Sequence, residues 1–148
     1  MRMTRRGQGI LVALAVIMGI ALVGGGVLVL ARSSSPGTAP FNVIKGTPRP
    51  DRLVGTQRPD KITGLGAGDK IKGRGGNDVL KGGKGGDVIG GGKGFDKLKG
   101  GPGNDRINAR DGHSDEIDCG AGKDFAKVDR HEDGVYDCET VRGTKGKK

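Results

Sequence analysis

Large aliphatic residues recur along the middle of the chain at a fixed interval of nine: Leu53, Ile62, Ile71, Leu80, Ile89, Leu98 and Ile107. The residues beside them are polar or small, as in Lys70 and Lys72, Lys97 and Lys99, or Arg106 and Asn108. Side chains alternate across a strand, so each aliphatic residue reads as the inward position of a short strand whose neighbours face out. One such strand buries almost nothing alone. A fixed period over seven units means that the units stack, each covering its aliphatic residue with the next. Two positions before each aliphatic residue stands an aspartate, at Asp51, Asp60, Asp69, Asp78, Asp87, Asp96 and Asp105. Five positions before each aspartate stands a glycine, at Gly46, Gly55, Gly64, Gly73, Gly82, Gly91 and Gly100. Each unit is therefore a turn plus a short strand, and the predicted fold class is all-β, a solenoid of stacked repeats.

The flanks break this pattern. MRMTRR carries three arginines, and the run from Ile10 to Ala31 is uncharged and mostly apolar over 22 residues. A basic start followed by an apolar run is an export signal, and this one is long enough to span a bilayer. Residues 1–31 are thus expected to be a signal peptide or a signal anchor, and the positive-inside rule places the rest outside the cytoplasm. The protein is expected to be secreted, or held at the cell surface if the anchor stays. Residues 32–42, rich in Ser, Pro and Gly, read as a linker, and Val43-Ile44 as a first strand over the open end of the stack. Repeats fill 43–108, although the first two, GTPRPDRLV and GTQRPDKIT, lack the second and fourth glycines of later units. After Asp105 the period slips by one residue to Asp115 and resumes nine later at Asp124. Ile117 and Val128 continue the apolar row, and Val135, Tyr136 and Val141 supply bulk to a closing cap over 109–142. Residues 143–148 are a basic tail.

Composition sharpens this picture. The chain of 148 residues has 32 glycines, three Phe, one Tyr and no Trp, so it has no thick aromatic core and room for one domain. Cys119 and Cys138 both follow the export segment, and two cysteines in an exported domain most often form a disulfide. The two histidines lack zinc-finger spacing, and no CxxC occurs. No nucleophile-and-base set, HExxH or phosphate loop is present, so the chain reads as a non-enzyme. The net charge is +9, and residues 46–108 alone carry 13 Lys plus Arg against 7 Asp. The basic rows are solvated outward faces or, alternatively, the surface of an envelope adhesion module that takes anionic polymers or headgroups. The reading includes no nucleic-acid partner, and membrane contact only through an uncleaved N-terminal segment.

The best units, GGKGGDVIG at 82–90, GGKGFDKLK at 91–99 and GGPGNDRIN at 100–108, fit the nonapeptide G-G-x-G-x-D-x-U-x with U a large aliphatic residue. Calcium takes 6–8 oxygens from carboxylates and backbone carbonyls, and glycine both reaches positive φ and lets carbonyls approach an ion. If two units make one coil, units 18 residues apart lie one above the other. Asp69 with Asp87, Asp87 with Asp105, and Asp78 with Asp96 then become pairs that share an ion, with Asp60, Asp115 and Asp124 weaker candidates. Residues 46–108 resemble the haemolysin-type calcium-binding, or RTX, repeat family. DKIKGRGGNDVLKGGKGGD from Asp69 to Asp87 and DVIGGGKGFDKLKGGPGND from Asp87 to Asp105 carry its longer signature. The exported segment with its cap also resembles small secreted repeat proteins of actinobacteria. The family resemblance implies a parallel β-roll with Ca2+ in the turns. It implies that Gly82, Gly83, Gly85, Gly91, Gly92, Gly94, Gly100, Gly101 and Gly103 supply or shape carbonyl ligands.

Overall fold

The computed structural model describes residues 22–23, 26–30, 41–129 and 134–144. Most of the expected export segment, most of the linker and most of the basic tail lie outside the described residues. Fourteen strands and no helix make up the described chain. In order they are β1 (Leu22–Val23), β2 (Gly26–Leu30), β3 (Asn42–Lys45), β4 (Arg52–Val54), β5 (Asp60–Gly66), β6 (Lys70–Gly75) and β7 (Val79–Lys84). They continue with β8 (Val88–Lys93), β9 (Lys97–Pro102), β10 (Arg106–Asn108), β11 (Glu116–Ala121), β12 (Phe125–Asp129), β13 (Gly134–Tyr136) and β14 (Thr140–Thr144). From β2 onward, successive strands fall alternately into two sheets. One has the order β1-β2-β4-β6-β8-β10-β12-β14, the other β13-β11-β9-β7-β5-β3. Every pair from β2 onward is parallel, which makes the chain a parallel β-solenoid of about five coils.

The register is the sequence period made visible. Ile62 lies opposite Leu80, and Ile71 opposite Ile89, each 18 residues on. After Asp105 the step lengthens to 19, so Leu98 lies opposite Ile117 and Ile107 opposite Ala126. The extra residue is absorbed in the turn at 110–114 without breaking either sheet. Burial alternates along the strands as expected, and three positions per unit face inward: the opening glycine, the aspartate and the aliphatic residue. The aliphatic side chains of the inward row, from Ile44 to Ile117, are no more than 3% exposed. Burial of such a side chain is worth ~1.5–3 kcal/mol, so the thin core rests on one aliphatic residue per unit.

Both ends differ from the middle. At the N-terminal end β3 covers β5, as the Val43-Ile44 reading anticipates, with Ile44 buried. Within the apolar run, β1 and β2 form an antiparallel pair, and β2 extends the eight-stranded sheet beside β4. Among the described residues no helix is long and apolar enough to cross a membrane. At the C-terminal end, Val128 joins the core and Val135 packs against it, but Tyr136 and Val141 are exposed. They do not supply the bulk expected of them. Tyr136 stands at an outward position opposite Asp118, and Val141 lies on β14, beyond which no strand stacks among the described residues. The cap is closed covalently instead: Cys119 and Cys138 form a disulfide with Cα atoms 5.2 Å apart.

Candidate metal centre

Nine aspartates, from Asp51 to Asp124, are buried where turn meets strand. One hydrogen bond, repeated coil after coil, aligns them. The backbone N–H of each aspartate donates to the Oδ1 of the aspartate one coil on: Asp51 to Asp69, Asp60 to Asp78, Asp69 to Asp87, Asp78 to Asp96 and Asp87 to Asp105, at 2.7–2.8 Å. The longer coil keeps the same bond from Asp96 to Asp115 and from Asp105 to Asp124. The pairs anticipated from the 18-residue spacing are therefore brought together in two columns, one along each edge of the roll.

The second oxygen separates the units into two kinds. The Oδ2 atoms of Asp69, Asp78, Asp87, Asp96, Asp105 and Asp124 are buried without a hydrogen-bond partner. An orphaned buried carboxylate oxygen costs free energy that folding alone does not return. In the first two units that oxygen is engaged. The N–H and the hydroxyl of Thr47 donate to Asp51 Oδ2, and those of Thr56 donate to Asp60 Oδ2. Asn42 takes the remaining oxygen of Asp60. Thr47 and Thr56 are functional residues that the sequence reading passed over. Their signal was the Thr standing four residues before Asp in both glycine-poor units.

The glycines divide into two roles. A Cβ built on Gly64, Gly73, Gly82 or Gly100 would collide with Oδ2 of the aspartate five residues on. It would also meet the carbonyl oxygen of the residue that opens the next coil: Gly82, Gly91, Gly100 and Cys119 respectively. A Cβ on Gly91 would meet Asp96 in the same way. The opening glycines thus leave a cradle in which an orphaned carboxylate oxygen and a backbone carbonyl face the same space. Before Asp115 and Asp124 the opening residue is Ala109 or Cys119, both fully buried, so a side chain stands where stronger units have none. The other glycines shape the turn. Gly83, Gly85, Gly92, Gly94, Gly101 and Gly103 all have φ between 112° and 151°. Leu65, Ala67 and Arg74 adopt positive φ at the matching positions without glycine's freedom.

The electrostatics follow from burial. Asp78 is pushed up to about 7 and Asp87 to about 6, mainly by desolvation; the N–H of the aspartate one coil below opposes, and the neighbouring aspartates raise them further. Burial raises Asp69, Asp96 and Asp105 as well. No Lys or Arg among the described residues pairs with a ladder carboxylate. Nor do three or more His, Cys, Asp or Glu side chains converge on one point there, so side chains alone would not complete a metal shell. Two carboxylates per step plus turn carbonyls are a hard, all-oxygen donor set, which suits calcium rather than a thiolate- or imidazole-seeking metal.

The family model of the RTX calcium-binding nonapeptide repeat (4 copies) matches residues 45–80, 54–89, 63–98, 81–116 and 90–126, more than half the chain. The chain belongs to the RTX calcium-binding repeat family. The RTX matches extend through Asp124 and so include the ten-residue unit that follows Asp105. Comparison with curated proteins gave no match, and comparison with solved structures gave none.

Proposed function

We propose that this chain is an exported, non-enzymatic β-roll that binds calcium between its turns and whose folding is coupled to that binding. The observation that carries the reading is the two columns of orphaned Oδ2 atoms, at Asp69, Asp87 and Asp105 and at Asp78 and Asp96, each in a glycine-lined cradle. These residues fit the ion. The aspartates would supply carboxylate oxygen, Gly82, Gly91 and Gly100 the adjacent carbonyls, and the positive-φ glycines the turn geometry. A bound divalent cation would neutralise carboxylates that otherwise stand buried and mutually repelling. Binding free energy of this kind becomes folding free energy where the empty turns are unstable. Sites in the weak extracellular range of ~10⁻⁴–10⁻³ M would fill once the chain has left the cell. Export rests on MRMTRR and the apolar run after it.

The test is a calcium titration of the chain from below 10⁻⁵ M upward, followed by circular dichroism, with magnesium as a parallel arm, across the range typical of such sites. The β-signal should rise with calcium in the ~10⁻⁴–10⁻³ M range and vanish in chelator. A chain equally folded in chelator would refute the coupling, and no calcium uptake by equilibrium dialysis would refute the binding itself.

A further inference from the structure

The two sheets of the roll present different outer faces. On the eight-stranded sheet the outward rows carry six exposed cations: Arg52, Lys70, Lys72, Arg106, Lys127 and Arg142. No acid stands in those rows, and none of the six is ion-paired among the described residues. On the six-stranded sheet the charge is partly answered within the face, where Lys97 pairs with Glu116 and Lys99 with Asp118. The cationic face also has relief. A groove of about 600 Å³ runs between Val88, Arg106, Asn108, Phe125, Lys127 and Arg142. Space above Gly90 is open, and the Arg142 guanidinium stands 5.5 Å from the Phe125 ring centre.

We propose that this face binds a linear acidic polysaccharide lying along the solenoid axis. Strands in a sheet are ~4.8 Å apart, so the five steps from β4 to β14 give a track of roughly 24 Å. The cations stand at both ends of that track and the apolar step between them, which asks for a partner whose anionic groups recur along its length. Guanidinium forks at Arg106 and Arg142 match carboxylates. The Asn108 amide offers both a donor and an acceptor to hydroxyls. Val88, which is 46% exposed, and Phe125 line the groove and present an apolar surface suited to the face of a sugar ring. A single-stranded nucleic acid would need several stacking platforms, and this face has one aromatic ring among the described residues. A membrane surface would favour apolar side chains that protrude, whereas these sit in a groove. The face is independent of the aspartate ladder, whose side chains point into the roll.

The experiment uses the full chain with its disulfide intact in saturating calcium, and fluorescent hyaluronan oligosaccharides as the probe. R106E/K127E reverses two charges on the grooved face, and K61E/K81E makes the same change in net charge on the six-stranded sheet. F125A removes the ring. Hyaluronan binding should weaken by about tenfold or more in R106E/K127E and by less than about twofold in K61E/K81E. F125A should weaken it severalfold without changing its salt dependence. Duplex DNA and phosphatidylglycerol vesicles, offered as competitors, should displace the probe poorly. Calcium midpoints of all three variants should stay within about twofold of the parent, which separates loss of the face from loss of the roll. Equal losses in the two charge-reversal pairs, tighter binding of DNA or vesicles than of hyaluronan, or no binding by the parent would each overturn the proposal.

Discussion

At the scale of single residues, the aspartates are alike in sequence and unlike in their surroundings. Asp87 accepts from Asp69 below and donates through its backbone to Asp105 above, and its Oδ2 is orphaned. The Oδ2 of Asp51 is held by Thr47. Asp87→Ala should therefore raise the calcium midpoint of the β-signal severalfold above that of the parent. Asp51→Ala should leave the midpoint nearly unchanged, and like shifts for both would count against a ladder with strong and weak rungs. Protons should compete with the ion. The carboxyls of Asp78 and Asp87 stand above the ordinary aspartate value near 3.9. They favour the empty roll when protonated. That stability is fully present below about pH 4 and is lost as pH rises through about 6–7. The β-signal that survives in chelator should then grow from pH 8 to pH 5, while the calcium affinity of the folded roll, read by equilibrium dialysis, should weaken over the same interval. Flat profiles in both measurements would show that the ladder does not titrate. A third expectation concerns Leu65 and Arg74, at φ 92° and 89°. A side chain there costs ~1–2 kcal/mol, against ~0.5–1 kcal/mol for glycine's extra freedom in the unfolded chain. Leu65→Gly and Arg74→Gly should each stabilise the calcium-loaded roll by about 0.5–1 kcal/mol in urea unfolding.

At the scale of elements, the C-terminal strands depend on a bond that the inner coils do not need. β13 rests on β11 and β14 on β12, each with a single neighbour among the described residues, and the disulfide ties the segment between them back to Cys119. A bridge closing a loop of about twenty residues is worth on the order of 3 kcal/mol. Cys138→Ser should cost roughly that much, with the first gain in hydrogen exchange at β13 and β14 while β7 and β8 keep their protection. Uniform loss across the roll would mean that the cap and the coils unfold as one. The strands themselves were legible in the sequence. An aliphatic residue every nine positions with polar neighbours left no other assignment for Ile71 or Leu98. The pairing of Cys119 with Cys138 followed from their number and place. The fate of Tyr136 and Val141 was not legible, because hydrophobicity says that a side chain gains from cover and not whether any strand remains to cover it. The orphaned oxygens were hidden for a related reason. Spacing places Asp69 below Asp87, but only coordinates show one oxygen spent on a backbone N–H and the other left over. The strain at Leu65 and Arg74 was in principle readable, since both occupy a place that glycine fills in the later units.

At the scale of the whole molecule, the roll carries a gradient of self-sufficiency from one end to the other. Thr47 and Thr56 hold the Oδ2 atoms of Asp51 and Asp60, and Asn42 donates to Oδ1 of Asp60, so the first two units keep one orphan, Asp51 Oδ1, whereas the Oδ2 atoms from Asp69 to Asp105 have no such partner. Repeat proteins behave as near-neighbour stacks, so such differences stay local. In limiting calcium, amide exchange should slow first over residues 46–63 and last over 82–108, and the reverse order would contradict it.

The single residue added between Asp105 and Asp115 has one more consequence. A stack with an unbroken period is translationally symmetric, and each of its ends copies an interface buried inside. Such an object is its own ideal partner head to tail, and contacts of that kind propagate into fibres rather than closing. Here the step changes from 18 to 19 residues at β11 and β12, then to 18 at β13 and 15 at β14, and a covalent bridge ties down this end. The final strand therefore offers an incoming copy a rung of the wrong length. A chain that repeats itself seven times breaks its own symmetry at the eighth repetition.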